Sequence, residues 1–411
     1  MALIFEIAVI LFGIHGAPPP PSQVSTTRPA HYSISPKELP KAFASKSVLF
    51  LPKIIPPRDP STLQAPPGFK VTVFAEGLHH PRWMAAAPNG DIFCVESLKY
   101  RVIVLRDNGS GKAEMKGVFC EKLYYPFGIA FHAGYLYIAN TGSVVRYQYK
   151  NGQLRAEGKP ETVIKVIPEK GYNQHWTRDI LFDPTGTKLY LTVGSEKNVA
   201  EEPSPRACIM QFNADGTGGR VFASGLRNAV GLAFNPKTGA LWCTCNERDY
   251  RGDDVAPDFV TAVRDGGFYG WPYYYCGKYH DPRMPEKPAL KQKTIVPDVL
   301  IQAHSAALGI AFYSGKQFPS EYRGDAFVAL HGSTNRSERT GYKIIRVRFK
   351  DGKPVGGYED FITGWMLAPD RHEVWGRPVG LLVTKDGSLL IADDANNRIY
   401  RVTYKRPTND H

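Results

Sequence analysis

Six stretches of this sequence repeat one pattern, and that repetition constrains the fold more than any other feature. Each joins a small or apolar run, a turn rich in Pro, Asn, Asp or Gly, and a run of alternating apolar and aromatic residues. In chain order they are MAAAPNGDIFCVES from Met84, GIAFHAGYLYIANT from Gly128, DILFDPTGTKLYLTVGS from Asp179, GLAFNPKTGALWCTCNE from Gly231, GIAFYSGKQFPSEYRGDAFVALHG from Gly309 and GLLVTKDGSLLIADD from Gly380. Several continue into a further strand with an Arg-Val or Arg-Tyr pair: RVIVLRD, VVRYQY, KIIRVRF and RIYRVTY. Strands joined by short turns make antiparallel sheets, and no such sheet buries both faces alone. Radial packing about a central channel solves that problem, so the expected fold is all-β, a six-bladed β-propeller. Unit starts lie about 44 to 78 residues apart, which leaves room for four-stranded blades and their loops. The widest gaps follow Gly231 and Gly309, and long loops on a rigid face are where function is expected. Two β-sandwich domains are the competing arrangement, which six-fold repetition disfavours.

Composition agrees with a globular β protein. The 411 residues are 43% hydrophobic, and 39 Gly and 33 Pro mark many turns, while no long stretch carries a helical period. A formal charge of +12 suits a nucleic acid, an anionic surface or an anionic cofactor. The basic residues are interspersed with acids and no nucleic-acid-binding signature occurs, so a nucleic-acid partner is not expected. The apolar run from Ala2 to Gly13, followed by small residues at Gly16 and Ala17, has the length of a signal-peptide core and is too short to span a membrane. Residues 1–17 therefore read as a signal peptide, although the run lacks a basic start and contains Glu6. A periplasmic or secreted protein with no membrane span in its mature chain follows. Residues 18–67, rich in Pro, Ser and Thr, read as a linker or an extended arm, and 68–405 as the propeller. Six cysteines, Cys94, Cys120, Cys208, Cys243, Cys245 and Cys276, are compatible with disulfides in an exported protein. A zinc site from Cys243, Cys245, Cys276 and His280 is the alternative. With no CxxC spacing, ordinary buried thiols are favoured over it.

Three segments are too polar for blade packing alone. In GYNQHWTRDILFDPTG, His175 precedes a blade's first strand and can point into the channel mouth, where an imidazole suits proton abstraction near neutral pH. In FASGLRNAVGLAF, Arg227 and Asn228 stand at the equivalent mouth of the next unit, a guanidinium beside an amide that suits an anionic or carbonyl-rich ligand. In NERDYRGDDVAPDF, the acids Asp249, Asp253, Asp254 and Asp258 offer oxygen ligands for a hard cation such as calcium, outside any EF-hand pattern. The bland alternatives are a loop-bonded histidine, a turn-capping arginine and a solvated acidic loop. GGFYGWPYYY adds Tyr269, Trp271 and Tyr273, which suit stacking on a sugar or planar ring as well as blade packing.

Taken together, QHWTRD, GLRN, NERD with GDD, GGFYGWP, HGSTNR and WGRPVG resemble the glucose and sorbosone dehydrogenase family, the sorbosone branch most, over nearly all of Gly68 to Tyr404. The resemblance implies a six-bladed propeller that oxidises a sugar or sugar aldehyde with bound pyrroloquinoline quinone and calcium, then passes electrons to a separate acceptor. His175 resembles the family's general base. Arg227 and Asn228 resemble the pair on the quinone oxygens, with Arg227 stabilising the developing alkoxide. The cofactor carries three carboxylates, for which Lys316, Arg336, Arg377 and Arg82 are the cations by position. Backbone carbonyls near Asp249 and Tyr250 would hold calcium. Three departures bear on the substrate: Ala229 follows Arg227-Asn228 where Pro is usual, Thr334 replaces a common Trp, and KLYYPFG with Tyr124 and Tyr125 replaces a more typical Asn-Gln. The rivals are a calcium-dependent lactonase-type propeller and a non-catalytic propeller that binds carbohydrate or protein.

Overall fold

Six antiparallel sheets account for nearly all the regular structure of the computed structural model, which describes residues 29–167 and 174–406. Blade 1 runs Pro81–Ala86, Ile92–Glu96, Arg101–Asp107, Ala113–Cys120, and blade 2 runs Ile129–His132, Tyr135–Ala139, Ser143–Gln148, Glu161–Lys165. Blade 3 is Ile180–Phe182, Lys188–Val193, Cys208–Asn213 and Arg220–Ser224, and blade 4 is Asn228–Phe234, Leu241–Asn246, Asp258–Ala262 and Val299–Ile301. Blade 5 is Ala307–Phe312, Ala326–Leu330, Lys343–Val347 and Tyr358–Ile362. Blade 6 takes Pro378–Val383, Leu389–Asp393 and Arg398–Tyr404 from the end of the chain and its outermost strand, Phe69–Ala75, from the start. That last pairing closes the ring non-covalently, so no blade is left with an open side toward its neighbour. The first strand of every repeat lies innermost, and the six inner strands contact one another in a closed circle.

The glycine that opens four of the repeats has a steric cause. A Cβ on Gly128, Gly231, Gly309 or Gly380 would lie 2.6, 2.4, 2.3 or 2.2 Å from a backbone oxygen of the next inner strand, at Arg178, Leu308, Val379 and Arg82 respectively. Only glycine lets the inner strands approach so closely. In blade 3 the position is Asp179, whose carboxylate accepts from Ile180 N and, across the blade boundary, from Leu232 N, each at 2.9 Å or less. The channel itself is closed by apolar side chains: Phe127, Val230, Leu308 and Val379 are buried together, with Trp83 and Trp176 packed against them. Between blades 5 and 6, Trp365, Trp375 and Tyr400 are fully buried. Each such ring hides about 200 Å², worth roughly 5 kcal/mol of transfer free energy before entropy is subtracted.

The described part of residues 18–67 is an arm packed on the propeller, not a free linker. His31–Tyr32 adds a fifth strand to blade 5, Lys53–Ile54 pairs in parallel with Glu373–Val374, and Leu63 is buried in the blade 5 and 6 core. The signal-peptide expectation for residues 1–17 lies outside the described residues. No helix among the described residues is long and apolar enough to cross a membrane. All six cysteines are buried and unpaired, which replaces the disulfide expectation with plain thiols. Cys243, Cys245 and Cys276 share one apolar cluster, and no zinc-competent group forms with His280 among the described residues.

Candidate active site at the channel mouth

On one face of the ring the first strand of each blade begins and the second ends, and His175, Arg227, Asn228 and Arg377 stand at those ends. A cavity of about 150 Å³ opens there among His175, Arg227, Asn228, Asp249, Asp258 and His304.

His175 is buried, with Nδ1 2.8 Å from Ser195 O and 3.0 Å from Ser195 Oγ. The Ser195 hydroxyl donates its proton to Lys197 O at 2.7 Å. A carbonyl can only accept, so Nδ1 donates to Ser195 O and Nε2 keeps its lone pair. Burial first, and then the Arg227 charge, hold the ring well below the ordinary imidazole value, so it stays neutral at neutral pH with its Nε2 lone pair unprotonated. Gly194 makes the arrangement possible: a Cβ there would lie 2.6 Å from both His175 Cβ and Asn228 Oδ1. Asn228 Oδ1 is buried without a hydrogen-bond partner.

Arg227 is almost fully buried, and each of its N–H groups faces an acceptor. Nε donates to Asn198 O (3.1 Å), Nη1 to Glu247 O (2.7 Å) and Asn246 O (3.4 Å), and Nη2 to Asn198 Oδ1 (2.9 Å) and Asp249 Oδ2 (3.3 Å). It therefore acts on a ligand through its fixed charge, with no unused donor. His304 sits between Asp249 Oδ1, 3.4 Å from Nδ1, and Gly252 O, 2.9 Å from Nε2. Two acceptors on one ring favour the imidazolium; burial opposes the charge, but Asp249 and Gly252 O outweigh it and raise the pKa. The carboxyl of Asp249 is in turn held low, burial being overcome by His304 and Arg227. Burial pushes Asp258, which accepts from Glu247 N and Ala306 N, up to about 7.

A second polar cluster stands across the mouth on blades 1, 5 and 6. Asp394, fully buried, is paired with Arg82, with His331 Nε2 at 2.9 Å and with His80 Nε2 at 3.3 Å. Burial lowers His80 to about 4 and His331 to about 3, so both rings are neutral, and His331 Nε2 donates to the carboxylate. Arg82 lies over Phe127 and Trp176, 5.2 and 5.4 Å from the ring centres. Arg377 reaches His331 O with Nε at 3.4 Å, and its terminal N–H groups lie outside that contact.

Three expectations change. Lys316 is exposed in the turn between the first two strands of blade 5, the opposite end of the blade from the mouth, so it cannot meet a ligand there. Arg336 is clasped to Asp253 O and to Asp254 Oδ1 at 2.7 Å and faces a separate cleft, because the acidic loop consumes its charge. Arg82 is at the mouth but neutralised by Asp394. Of the aromatic residues, Tyr269 and Trp271 are core, and Tyr273 bonds Glu201 at 2.7 Å. His304, His331, His80 and Asp394 were not singled out in the sequence. His304 precedes Gly309 by five residues much as His175 precedes Asp179 by four, and that positional parallel was the available signal.

The TrAA12-like family sequence model matches residues 63–256 and 285–405, well over half of the chain. This chain belongs to the TrAA12-like family. An uncharacterized protein of Borreliella burgdorferi is 30% identical over 357 residues, spanning 84% of this chain and 92% of its own length. A pyrroloquinoline quinone-dependent sugar dehydrogenase of Hypocrea jecorina is 22% identical, over 81% of this chain and 87% of its own. Among solved structures, the calcium structure of Trichoderma reesei Carbohydrate-Active Enzymes Family AA12 superposes with a TM-score of 0.74 at 20% identity, covering 86% of this chain and 98% of that one. The holo pyranose dehydrogenase quinone domain of Coprinopsis cinerea gives 0.69 at 20%, covering 87% and 100%. These likenesses show the six-bladed propeller.

The mouth of this TrAA12-like chain fits a planar anionic quinone. Asn228 Oδ1 is an orphaned polar atom, Gly194 leaves the space a Cβ would fill, and Arg227, His304 and Arg377 supply positive charge around the opening. Of the calcium position expected at Asp249 and Tyr250, the Asp249 carbonyl is already engaged. Asp249 O already accepts from Asn198 Nδ2 at 3.1 Å and lies 3.4 Å from Arg283 Nη1.

Proposed function

We propose that this protein oxidises a sugar or sugar aldehyde of the aldose or sorbosone type, with pyrroloquinoline quinone as its cofactor and a separate electron acceptor, outside the cytoplasm. The observation that carries this reading is the buried, neutral His175, whose Nδ1 is committed to Ser195 O and whose Nε2 lone pair is free at the cavity. The quinone, when bound, supplies a two-electron acceptor for the substrate's hydride. His175 Nε2 takes the hydroxyl proton as the C–H bond weakens, and the carbonyl at Nδ1 stabilises the imidazolium that forms. Arg227 contributes a fixed positive charge where negative charge develops, in a site from which the apolar plug of Phe127, Val230, Leu308 and Val379 excludes water on the inner side. Arg377 is the cation with terminal N–H groups to spare for a carboxylate. Asp249 O already accepts from Asn198 Nδ2, so no role for calcium is built into the proposal. The names of the Hypocrea jecorina and Coprinopsis cinerea relatives support the cofactor and the substrate class.

The test is reconstitution of the purified apoprotein with pyrroloquinoline quinone, followed by dye reduction with a panel of aldoses and sorbosone. Saturable binding and sugar-dependent turnover are expected. Failure to bind the quinone at micromolar concentration would sink the dehydrogenase reading.

A further inference from the structure

A cleft of about 410 Å³ lies beside the mouth on blade 5. Its walls come from strand ends on the mouth face, since the blade's second strand ends at Leu330, its third begins at Lys343 and its fourth ends at Ile362. The arm closes one side with Tyr32 and Gln64. The partition between mouth and cleft is bare backbone where two glycines meet. Gly332 lines the mouth cavity and Gly341 the cleft, and a Cβ on Gly341 would lie 2.8 Å from Gly332 Cα. Thr334 on the mouth side and Arg336 on the cleft side are two residues apart in the chain, a span of about 7 Å at most.

The fixed charges of the cleft are spent within the protein. Lys343 Nζ pairs with Asp360 Oδ1 at 2.5 Å, Arg336 with Asp254 Oδ1 at 2.7 Å, and Arg339 donates to Ser333 O and Arg371 O at 3.0 Å each. Hydrogen-bonding capacity of both kinds is left over. Gln302 accepts from Thr340 Oγ1 at 2.9 Å and Gln64 from Thr363 Oγ1 at 3.5 Å, each through Oε1, so among the described residues both keep amide N–H groups to spare. Glu338 adds an exposed acceptor, and Met366, Pro369 and the Tyr32 ring add apolar surface. Donors, an acceptor and apolar faces around a space of this size, within the roughly 300–1,000 Å³ of small-molecule sites, match the hydroxyls and C–H faces of sugar rings. A phosphate or carboxylate would instead meet the Glu338 charge and cations that already have partners.

We infer that the cleft is a binding subsite for further sugar residues of an oligosaccharide whose terminal residue occupies the mouth. The inference rests on the sugar-oxidation reading above and narrows its substrate class to short glycans. Gln302 and Gln64 hold the added units through their amide N–H groups, and neither lines the mouth cavity.

The experiment is steady-state dye reduction by the quinone-reconstituted full chain with the monomer through tetramer of the cello-, malto- and xylo-oligosaccharide series. The expected result is a kcat/KM that rises about tenfold or more from monomer to trimer in at least one series, carried by a fall in KM. Gln302→Ala and Gln64→Ala should each remove roughly 3- to 10-fold of that rise, the worth of a hydrogen bond. The trimer-to-monomer ratio is read within each variant, so a general loss of activity or stability cancels. Gln64 is exposed and its backbone pairs with Thr363 whatever its side chain, so its alanine variant keeps the fold. A ratio flat with chain length in every series, or a rise that both variants leave intact, overturns the inference while monomer turnover preserves the sugar-oxidation reading. No turnover with any member of the series overturns both.

Discussion

Replacing Gly194 by alanine should damage catalysis in a protein that still folds. The added methyl would stand 2.6 Å from His175 Cβ and 2.6 Å from Asn228 Oδ1, where ordinary contact begins near 3.4 Å, a shortfall of about 0.8 Å on each side. Gly194 has no left-handed φ, so alanine meets no backbone penalty and the whole effect is a displacement of the base and the amide. A misplacement on the order of 1 Å costs roughly 100-fold in rate, which is about 2.7 kcal/mol in the barrier. Overpacking of this kind destabilises by about 1–3 kcal/mol. Dye-linked kcat/KM of the reconstituted protein, read beside a urea melt, is the assay. The expected result is a loss of turnover of roughly 30- to 100-fold in a protein that still melts cooperatively. Unchanged turnover would refute the idea that this glycine sets the spacing of His175 and Asn228.

Other outcomes follow from the same geometry. His175→Gln should lower kcat by about 100- to 10,000-fold while quinone affinity stays within a few-fold, because the ring acts on the substrate proton; equal loss in both would make it a packing residue. Since burial and Arg227 keep His175 neutral well below the usual imidazole value, its protonation should leave no acid limb near the ordinary 6.5, and a limb that disappears in His175→Gln would contradict the assignment. Asp394→Asn removes the partner of Arg82, His331 and His80 and should cost about 3–5 kcal/mol in a denaturant melt. Burial would raise the Asp394 carboxyl, but His331 and Arg82 outweigh it and hold it well below the ordinary value. Its contribution is therefore present above about pH 4 and lost only as pH falls through the lower folded pKa. A wild-type to variant gap that does not narrow in strong acid would contradict that linkage.

Much of the site was legible because the repeat places it. Polar residues just ahead of an inner strand must lie at the mouth, so His175, Arg227 and Asn228 could be named from spacing, and Arg377 from its family-like motif. Lys316 went astray because the turn after the inner strand carries it to the other face, one strand length from the mouth. For Arg336 and Asp249 it was the partners that were not readable. Charges and amides from distant parts of the chain occupy them, Asp254 for Arg336 and the trio Asn198, Arg227 and His304 for Asp249. The Arg82, Asp394, His331 and His80 cluster was invisible for the same reason, since its members come from blades 1, 5 and 6 and meet only when the ring closes.

The amino-acid order by itself determined the strand period, the turns, the six-fold repeat and hence the propeller, because those depend on interactions between near neighbours. Which thiols, cations and carboxylates are free and which are already committed was decided only by the closed ring, because electrostatic partnership depends on distance in space and not along the chain.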